Sequence, residues 1–83
     1  IQQKEDVISI FPNPTNGQFT IQATELTEVL SYSITSMDGK LIQTVLNNQD
    51  KSIVVDISKE SRGIYFVNIT TNDSELVYKL VKQ

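Results

Sequence analysis

Apolar and polar residues alternate with a period of two along most of this 83-residue chain. Successive side chains of a β-strand point to opposite faces, so this alternation is typical of strands that bury one face and expose the other. Turn-forming residues separate the alternating segments at intervals of about eight to twelve residues. The pattern predicts seven strands, at residues 7–11, 18–23, 29–36, 40–46, 52–57, 64–71 and 76–82.

The phase of the alternation predicts which side chains of each strand face the core. In the sixth strand, Tyr65 and its in-phase neighbours face one way and Phe66 faces the other way. Phe66 is therefore predicted either to line a second buried face or to be exposed. In the third strand the predicted buried face consists of Leu30, Tyr32 and Ile34.

Residues 24–30 are the one segment whose pattern invites a helix. Thr24 stands at a possible N-cap, and Leu26 and Leu30 are spaced four residues apart, as on one helix face. Seven residues are too few to form a stable helix alone. Across the whole chain, 26 of the 83 residues are Ile, Val or Thr, whose branched side chains favour strands over helices.

Short strands with regular turns predict an all-β fold, a seven-stranded antiparallel immunoglobulin-like β-sandwich. The pair Asp38-Gly39 is a strong turn signal that joins the third and fourth strands as a β-hairpin. The chain has neither Cys nor Trp, which excludes the Cys–Trp–Cys core of antibody domains. Residues 1–6 are polar after Ile1 and are predicted to be a linker that precedes the domain at residues 7–83.

The composition excludes most catalytic chemistry. Without Cys or His, the chain cannot supply a thiol nucleophile, a Cys-based zinc site or a Ser-His-Asp set. The net charge of −3 disfavours binding to nucleic acid. The acidic residues are dispersed, so a calcium site built from loops stays only as an open alternative. A flat aromatic platform for sugars is a second open alternative, although the chain has no Trp to form it. We therefore expect no enzyme activity, no metal and no cofactor.

Residues 12–17, which we call the corner, form the most unusual local stretch of the chain. Pro12 and Pro14 fix the backbone angle φ and remove two hydrogen-bond donors, and the residue before each proline is driven to an extended conformation. Asn16 and Gly17 then tolerate positive φ. The stretch predicts a rigid corner between the first two strands, and a ligand-binding loop is the alternative.

The last predicted strand carries Lys79 and Lys82 close to Gln83, the final residue of the sequence. One interpretation is an edge strand whose lysines prevent aggregation. The other is an exposed terminal signal that another protein recognises, for instance by strand addition. The pattern leaves both interpretations open, and it leaves open a weak homodimer through an edge strand.

Several short motifs occur in an order that resembles a known family. The run Phe-Pro-Asn-Pro-Thr-Asn-Gly at residues 11–17 is the most specific of them. Five others follow it before the lysine-bearing last strand: Phe-Thr-Ile at 19–21, Tyr-Ser-Ile at 32–34, Met-Asp-Gly-Lys at 37–40, Asp-Ile-Ser at 56–58 and Gly-Ile-Tyr-Phe-Val at 63–67. Over residues 7–83, the chain resembles the type A C-terminal sorting domain of the type IX secretion system of Bacteroidetes.

The resemblance implies a passenger signal and not an enzyme. Such domains end secreted enzymes and adhesins, and they take this upstream cargo domain from the periplasm through an outer-membrane translocon with its shuttle proteins. A sortase-like cysteine protease then cuts upstream of the domain, here in or before residues 1–6. The cargo is anchored at the outer-membrane surface or released outside the cell. The resemblance further implies that Gln83 ends the encoded protein.

The resemblance also assigns roles to individual residues. Those expected to be architectural are Pro12, Asn13, Pro14 and Gly17 in the corner, Asp38, Gly39 and Lys40 in the hairpin turn, and Gly63 and Tyr65 at the start of the sixth strand. Those expected to be recognised by the translocon are Lys79, Leu80, Val81, Lys82 and Gln83. The competing hypothesis is a fibronectin-like accessory module, which would itself bind carbohydrate or protein at the cell surface.

Overall fold

Seven β-strands make up the computed structural model, which describes residues 7–47 and 50–83. They are β1 (Ile8–Phe11), β2 (Gln18–Ala23), β3 (Val29–Ser36), β4 (Leu41–Leu46), β5 (Ser52–Asp56), β6 (Gly63–Thr71) and β7 (Glu75–Lys82). The described residues contain no helix, and residues 24–30 form a turn followed by the first residues of β3. The predicted linker at residues 1–6 lies outside the described residues.

The strands form two antiparallel sheets that enclose one core. One sheet has the strand order β1-β2-β5 and the other has the order β4-β3-β6-β7. In a constant-type immunoglobulin domain the fourth strand joins the first, second and fifth strands, whereas here β4 pairs with β3. The prediction of a seven-stranded antiparallel immunoglobulin-like β-sandwich is confirmed, with the fourth strand in the larger sheet.

Alternate side chains of both sheets build the core between them. Ile21 in β2, Val67 in β6 and Leu80 in β7 have none of their surface exposed. The predicted face of β6 is confirmed, since Tyr65 and its in-phase neighbours Val67 and Ile69 are all buried. The buried apolar set comprises Ile8, Phe19, Ile21, Ala23, Val29, Tyr32, Ile34, Val55, Ile57, Tyr65, Val67, Ile69 and Leu80.

The predicted buried face of β3 is wrong at the first residues of the strand. Leu30, which was expected inside, is 45% exposed, whereas Val29 is only 2% exposed. The pairing of β3 with β6 shifts register between Val29 and Ser31. A shift by one residue exchanges the buried and exposed faces of a strand, so the alternation that correctly buries Tyr32 and Ile34 does not extend back to Leu30.

Phe66 lies on the outer face of the larger sheet, where it is half-buried. In register it stands between Thr35 of β3 and Lys79 of β7. There is no second buried face on this side of the sheet among the described residues. Phe66 is therefore neither in a second buried core nor fully exposed, and part of its surface is covered by its neighbours on the sheet.

Candidate functional site

The corner joins β1 to β2, and on the way it passes beside the last strand. The peptide bonds before both of its prolines are cis, and residues 12–14 are exposed. Thr15, by contrast, is only 1% exposed and forms an isolated parallel bridge with Lys82 of β7. The corner is therefore the turn that the sequence predicts and, in addition, a neighbour of the strand that ends the chain.

The side-chain amide of Asn13 forms two hydrogen bonds with the backbone of β7. Its Nδ2 donates to the carbonyl of Lys79 at 2.8 Å, and its Oδ1 accepts from the amide of Val81 at 3.0 Å. An asparagine side chain carries a donor and an acceptor in the same arrangement as a peptide group. Asn13 therefore binds β7 in the way that a neighbouring strand would.

The backbone of Thr15 continues this pairing toward the end of β7. Its amide donates to the carbonyl of Val81 at 2.8 Å, and its carbonyl accepts from the amide of Gln83 at 2.9 Å. The Thr15 hydroxyl donates to the carbonyl of Gln18 at 2.6 Å and accepts from the amide of Gly17 at 3.0 Å. No local pattern in the sequence points to Thr15, because only its distant partners distinguish it from the other threonines.

The edge-strand interpretation, and recognition of the last strand by strand addition, both require an open outer backbone edge. The structure does not leave it open between Lys79 and Gln83, because the corner occupies that edge. The hydrogen bonds from the corner engage the Lys79 carbonyl, both backbone groups of Val81 and the Gln83 amide. A homodimer through an edge strand stays a prediction, and strand pairing at residues 79–83 would require the corner to move.

The five residues predicted for recognition are adjacent in the structure but differ in exposure. Lys79 and Gln83 are exposed and Val81 is half-buried. Leu80 is 0% exposed and Lys82 is 8% exposed, so the stem of this lysine is buried, as is common for long charged side chains. Of these five residues, Lys79, Val81 and Gln83 are therefore accessible to a protein that meets the folded domain, and Leu80 is not.

The predicted motifs come from four separate parts of the sequence and meet at one end of the sandwich. Gly63 pairs with Lys82, and Lys82 bridges to Thr15 in the corner. Ser36, the residue before the hairpin turn, pairs with Tyr65. The corner, the hairpin turn, the start of β6 and the end of β7 therefore form one surface region, which we call the signal end.

Gly17 closes the corner against the connection between β5 and β6. Its carbonyl accepts a hydrogen bond from the amide of Ile57 at 2.8 Å. A Cβ atom at Gly17 would lie 2.8 Å from the Cα and Cβ of Ser58, and φ is +143°. Ser58 is itself held by Asp56, whose Oδ1 accepts from the Ser58 amide at 2.8 Å. Hydrogen bonding by the Ser58 side chain, followed by that of the Ser58 amide, is the main cause that lowers the pKa of Asp56 below its usual value.

The hairpin turn is stabilised by the side chain of Ser36. The Ser36 hydroxyl donates to the carboxylate of Asp38 and accepts from the amide of Lys40 at 3.1 Å. Gly39 has φ of +90°, a conformation that glycine adopts without steric cost. The hydrogen bond from Ser36 is the main cause that lowers the pKa of Asp38, and the charge of Lys40 adds to it. The turn predicted at Asp38-Gly39 is present.

Tyr65 is buried near the start of β6, where its hydroxyl donates to the carbonyl of Ser61 at 2.5 Å. A tyrosine at this place, bonded to the backbone a few residues upstream, is the tyrosine corner of immunoglobulin-like sandwiches. Burial is the main cause that raises the pKa of Tyr65, and the charge of Glu60 contributes. The spacing of four residues was visible in the sequence, but the hydrogen bond was not predicted.

The described residues offer no set of three His, Cys, Asp or Glu side chains placed to hold a metal ion. Among those same residues, no helix has the length and the apolar composition that a transmembrane span requires. Their buried side-chain nitrogen and oxygen atoms all have hydrogen-bond partners. No fully buried side-chain nitrogen or oxygen atom in the described part of the signal end therefore lacks a partner.

Comparison with known protein families identifies one match. The model of a family described as the secretion system C-terminal sorting domain matches residues 9–83. No curated protein matches the chain. The matched residues begin in β1, include the whole corner and extend through the last strand, so they contain every segment of the signal end. The chain belongs to the family of secretion system C-terminal sorting domains.

Proposed function

We propose that this domain directs an upstream cargo domain in the same polypeptide through the type IX translocon and its shuttle proteins, by recognition of Lys79 and its neighbours at the signal end. The family match supports sorting by a secretion system. The observation that carries the finer proposal is the convergence of the corner, the hairpin turn and the end of β7 at one end of the sandwich. A surface of this kind can be recognised while the domain stays folded.

The later steps of the proposal concern the fate of the cargo. After transit through the periplasm and the outer membrane, a sortase-like cysteine protease cuts before the domain, in or upstream of residues 1–6. The cargo is then anchored at the surface or released. Mass spectrometry of the released domain tests this step, since its first residue identifies the cut. A domain that stays joined to exported cargo would contradict cleavage.

Export is tested by fusing a periplasmic reporter to the chain in a bacterium that has a type IX system. Removal of residues 79–83 is expected to retain the reporter in the periplasm. Because that deletion also removes the core residue Leu80, the decisive variant is Lys79→Ala, which changes an exposed side chain. Loss of one charge-assisted contact is expected to reduce export about tenfold.

Lys59→Ala is the matched control for Lys79→Ala, because Lys59 is also exposed but lies in the connection between β5 and β6. It is expected to export like the parent. Normal export of both the deletion and Lys79→Ala would overturn the proposal. The fibronectin-like alternative would then be favoured if the chain bound a carbohydrate or a protein, and if it bound that ligand equally well when placed in the middle of a fusion.

A further inference from the structure

The corner binds the outward-facing backbone groups of the last strand from the Lys79 carbonyl to the Gln83 amide. In an antiparallel strand, alternate residues direct their amide and carbonyl groups to each side. Between the Lys79 carbonyl and the Gln83 amide, the groups directed away from β6 are these two and both backbone groups of Val81. All four bind the corner, at distances of 2.8 to 3.0 Å.

Half of these contacts come from one side chain for a simple chemical reason. Proline has no backbone N–H, so neither Pro12 nor Pro14 can donate to β7. The Asn13 side chain provides the missing donor through Nδ2 and adds an acceptor through Oδ1. Thr15, the next residue that has a backbone N–H, makes the following pair of hydrogen bonds.

We propose that the corner fixes the export signal as a closed strand, with Asn13 and Thr15 as positioning residues for residues 79–83. The proposal rests on the proposed function, since it concerns how that signal is presented. A partner that adds a strand to β7 at these residues would first have to break four hydrogen bonds. Side chains such as Lys79 and Val81, and not the backbone edge, therefore carry the recognition.

Hydrogen exchange of the chain tests whether the corner holds the strand. In Asn13→Ala the Val81 amide loses its acceptor, and its exchange is expected to accelerate about fivefold to tenfold. The amide of Val67 in β6 is the internal reference and should not change. Asn16→Ala is the matched control, because Asn16 is exposed in the same corner and makes no side-chain hydrogen bond with a described residue. Unchanged exchange at Val81 in Asn13→Ala would refute the positioning.

Export of the reporter fusion tests whether the positioning matters for recognition. Asn13→Ala is expected to lower export about fivefold, in line with the faster exchange, whereas Asn16→Ala should export like the parent. Ile53→Val is the control for a general loss of stability, since Ile53 packs at the edge of the core in β5. Ile53→Val should lower the free energy of unfolding, whereas hydrogen exchange at the Val81 amide and export of the reporter should stay as in the parent.

The outcomes separate this proposal from the proposed function. If Asn13→Ala shows faster exchange at the Val81 amide but normal export, the positioning role is overturned. Loss of export in the Lys79→Ala fusion would in that case still support the export signal. If Asn13→Ala does not fold, Asn13→Asp replaces it, because this variant keeps an acceptor for the Val81 amide and replaces the Nδ2 donor by a carboxylate oxygen that repels the Lys79 carbonyl. Normal exchange at Val81 with lowered export would then be the expected result, and normal export would refute the proposal.

Discussion

Asn13 and Val81 stand 68 positions apart in the chain, and the side-chain oxygen of Asn13 accepts a hydrogen bond from the Val81 amide at 3.0 Å. This contact couples the first turn of the sandwich to its last strand. Closing a loop of that length has a large entropy cost, so the contact depends on the surrounding fold. The corner in turn protects the end of β7, and the signal end forms only when both sheets are assembled.

Substituting Gly17 should destabilise the domain through crowding as well as backbone strain. A Cβ at Gly17 meets Ser58, whereas one at Gly63 has nothing within 4 Å, and both glycines have positive φ, of +143° and +152°. Gly63→Ala is therefore the matched control for strain. Gly17→Ala is expected to lower the free energy of unfolding by about 1–3 kcal/mol more than Gly63→Ala. Urea denaturation measures this difference, and equal losses would contradict a crowding effect.

Replacing Thr15 by Val should weaken the attachment of the corner. The variant keeps the shape of the side chain and removes the hydroxyl that binds the Gln18 carbonyl and the Gly17 amide. Leaving such groups without partners is expected to cost about 1–3 kcal/mol in the free energy of unfolding. Thr44→Val, at an exposed site in β4, is the control and should change stability by less than about 0.5 kcal/mol. Similar losses in both variants would argue against the hydroxyl contacts.

The tyrosine corner should contribute measurably to stability. Tyr65→Phe removes the hydrogen bond to the Ser61 carbonyl and is expected to lower the free energy of unfolding by about 0.5–1.5 kcal/mol. Tyr32 is a suitable comparison, because its ring is also buried in the core while its hydroxyl, unlike that of Tyr65, makes no hydrogen bond with another described residue. Tyr32→Phe should be close to neutral. If thermal unfolding gives the same loss for both, the hydrogen bond to Ser61 contributes nothing.

Acid should destabilise the domain in part through Asp38 and Asp56. The pKa of each is lowered in the folded state, mainly by hydrogen bonds from Ser36 and Ser58 respectively. A lowered folded pKa gives stability that is complete above the unfolded pKa of about 3.9 and is lost as pH falls toward the folded value. Melting temperatures recorded from about pH 5 to pH 2 should therefore decrease.

The acid effect has a direct control in the chain. Replacing both Asp38 and Asp56 by Asn should flatten the fall in melting temperature below about pH 4. Asp50→Asn should leave it unchanged, because the Asp50 carboxylate accepts no hydrogen bond from a described residue. The same fall in the double variant and the parent would exclude these two carboxylates as its source.

Opening the edge of β7 should promote self-association. Unpaired strand edges are templates for pairing with another chain, and Asn13→Ala removes two of the four contacts that close this edge. Sedimentation of Asn13→Ala is expected to show association at a lower protein concentration than the parent or Asn16→Ala. Identical sedimentation of all three would indicate that the edge stays closed without Asn13.

The strands could be predicted from the sequence because alternation is a local signal. In β6 the period of two correctly placed Tyr65 inside and Phe66 outside the core, since neighbouring side chains of a strand must face opposite ways. The corner and the turn at Asp38-Gly39 were predictable for the same reason, because Pro, Asn and Gly restrict or permit backbone angles by themselves. The order of motifs indicated the family that the match over residues 9–83 then showed.

Only the tertiary structure decided which surfaces these local elements share. The shift of register that exposes Leu30 depends on how β3 pairs with β6, and no alternation within β3 encodes it. The contact of Asn13 with Val81 joins residues 68 positions apart through a side chain in a turn, where no periodic pattern exists. The sequence by itself thus determined seven strands and the order of motifs that indicates the family, and packing of the two sheets determined that the last strand has a closed outer edge from the Lys79 carbonyl to the Gln83 amide.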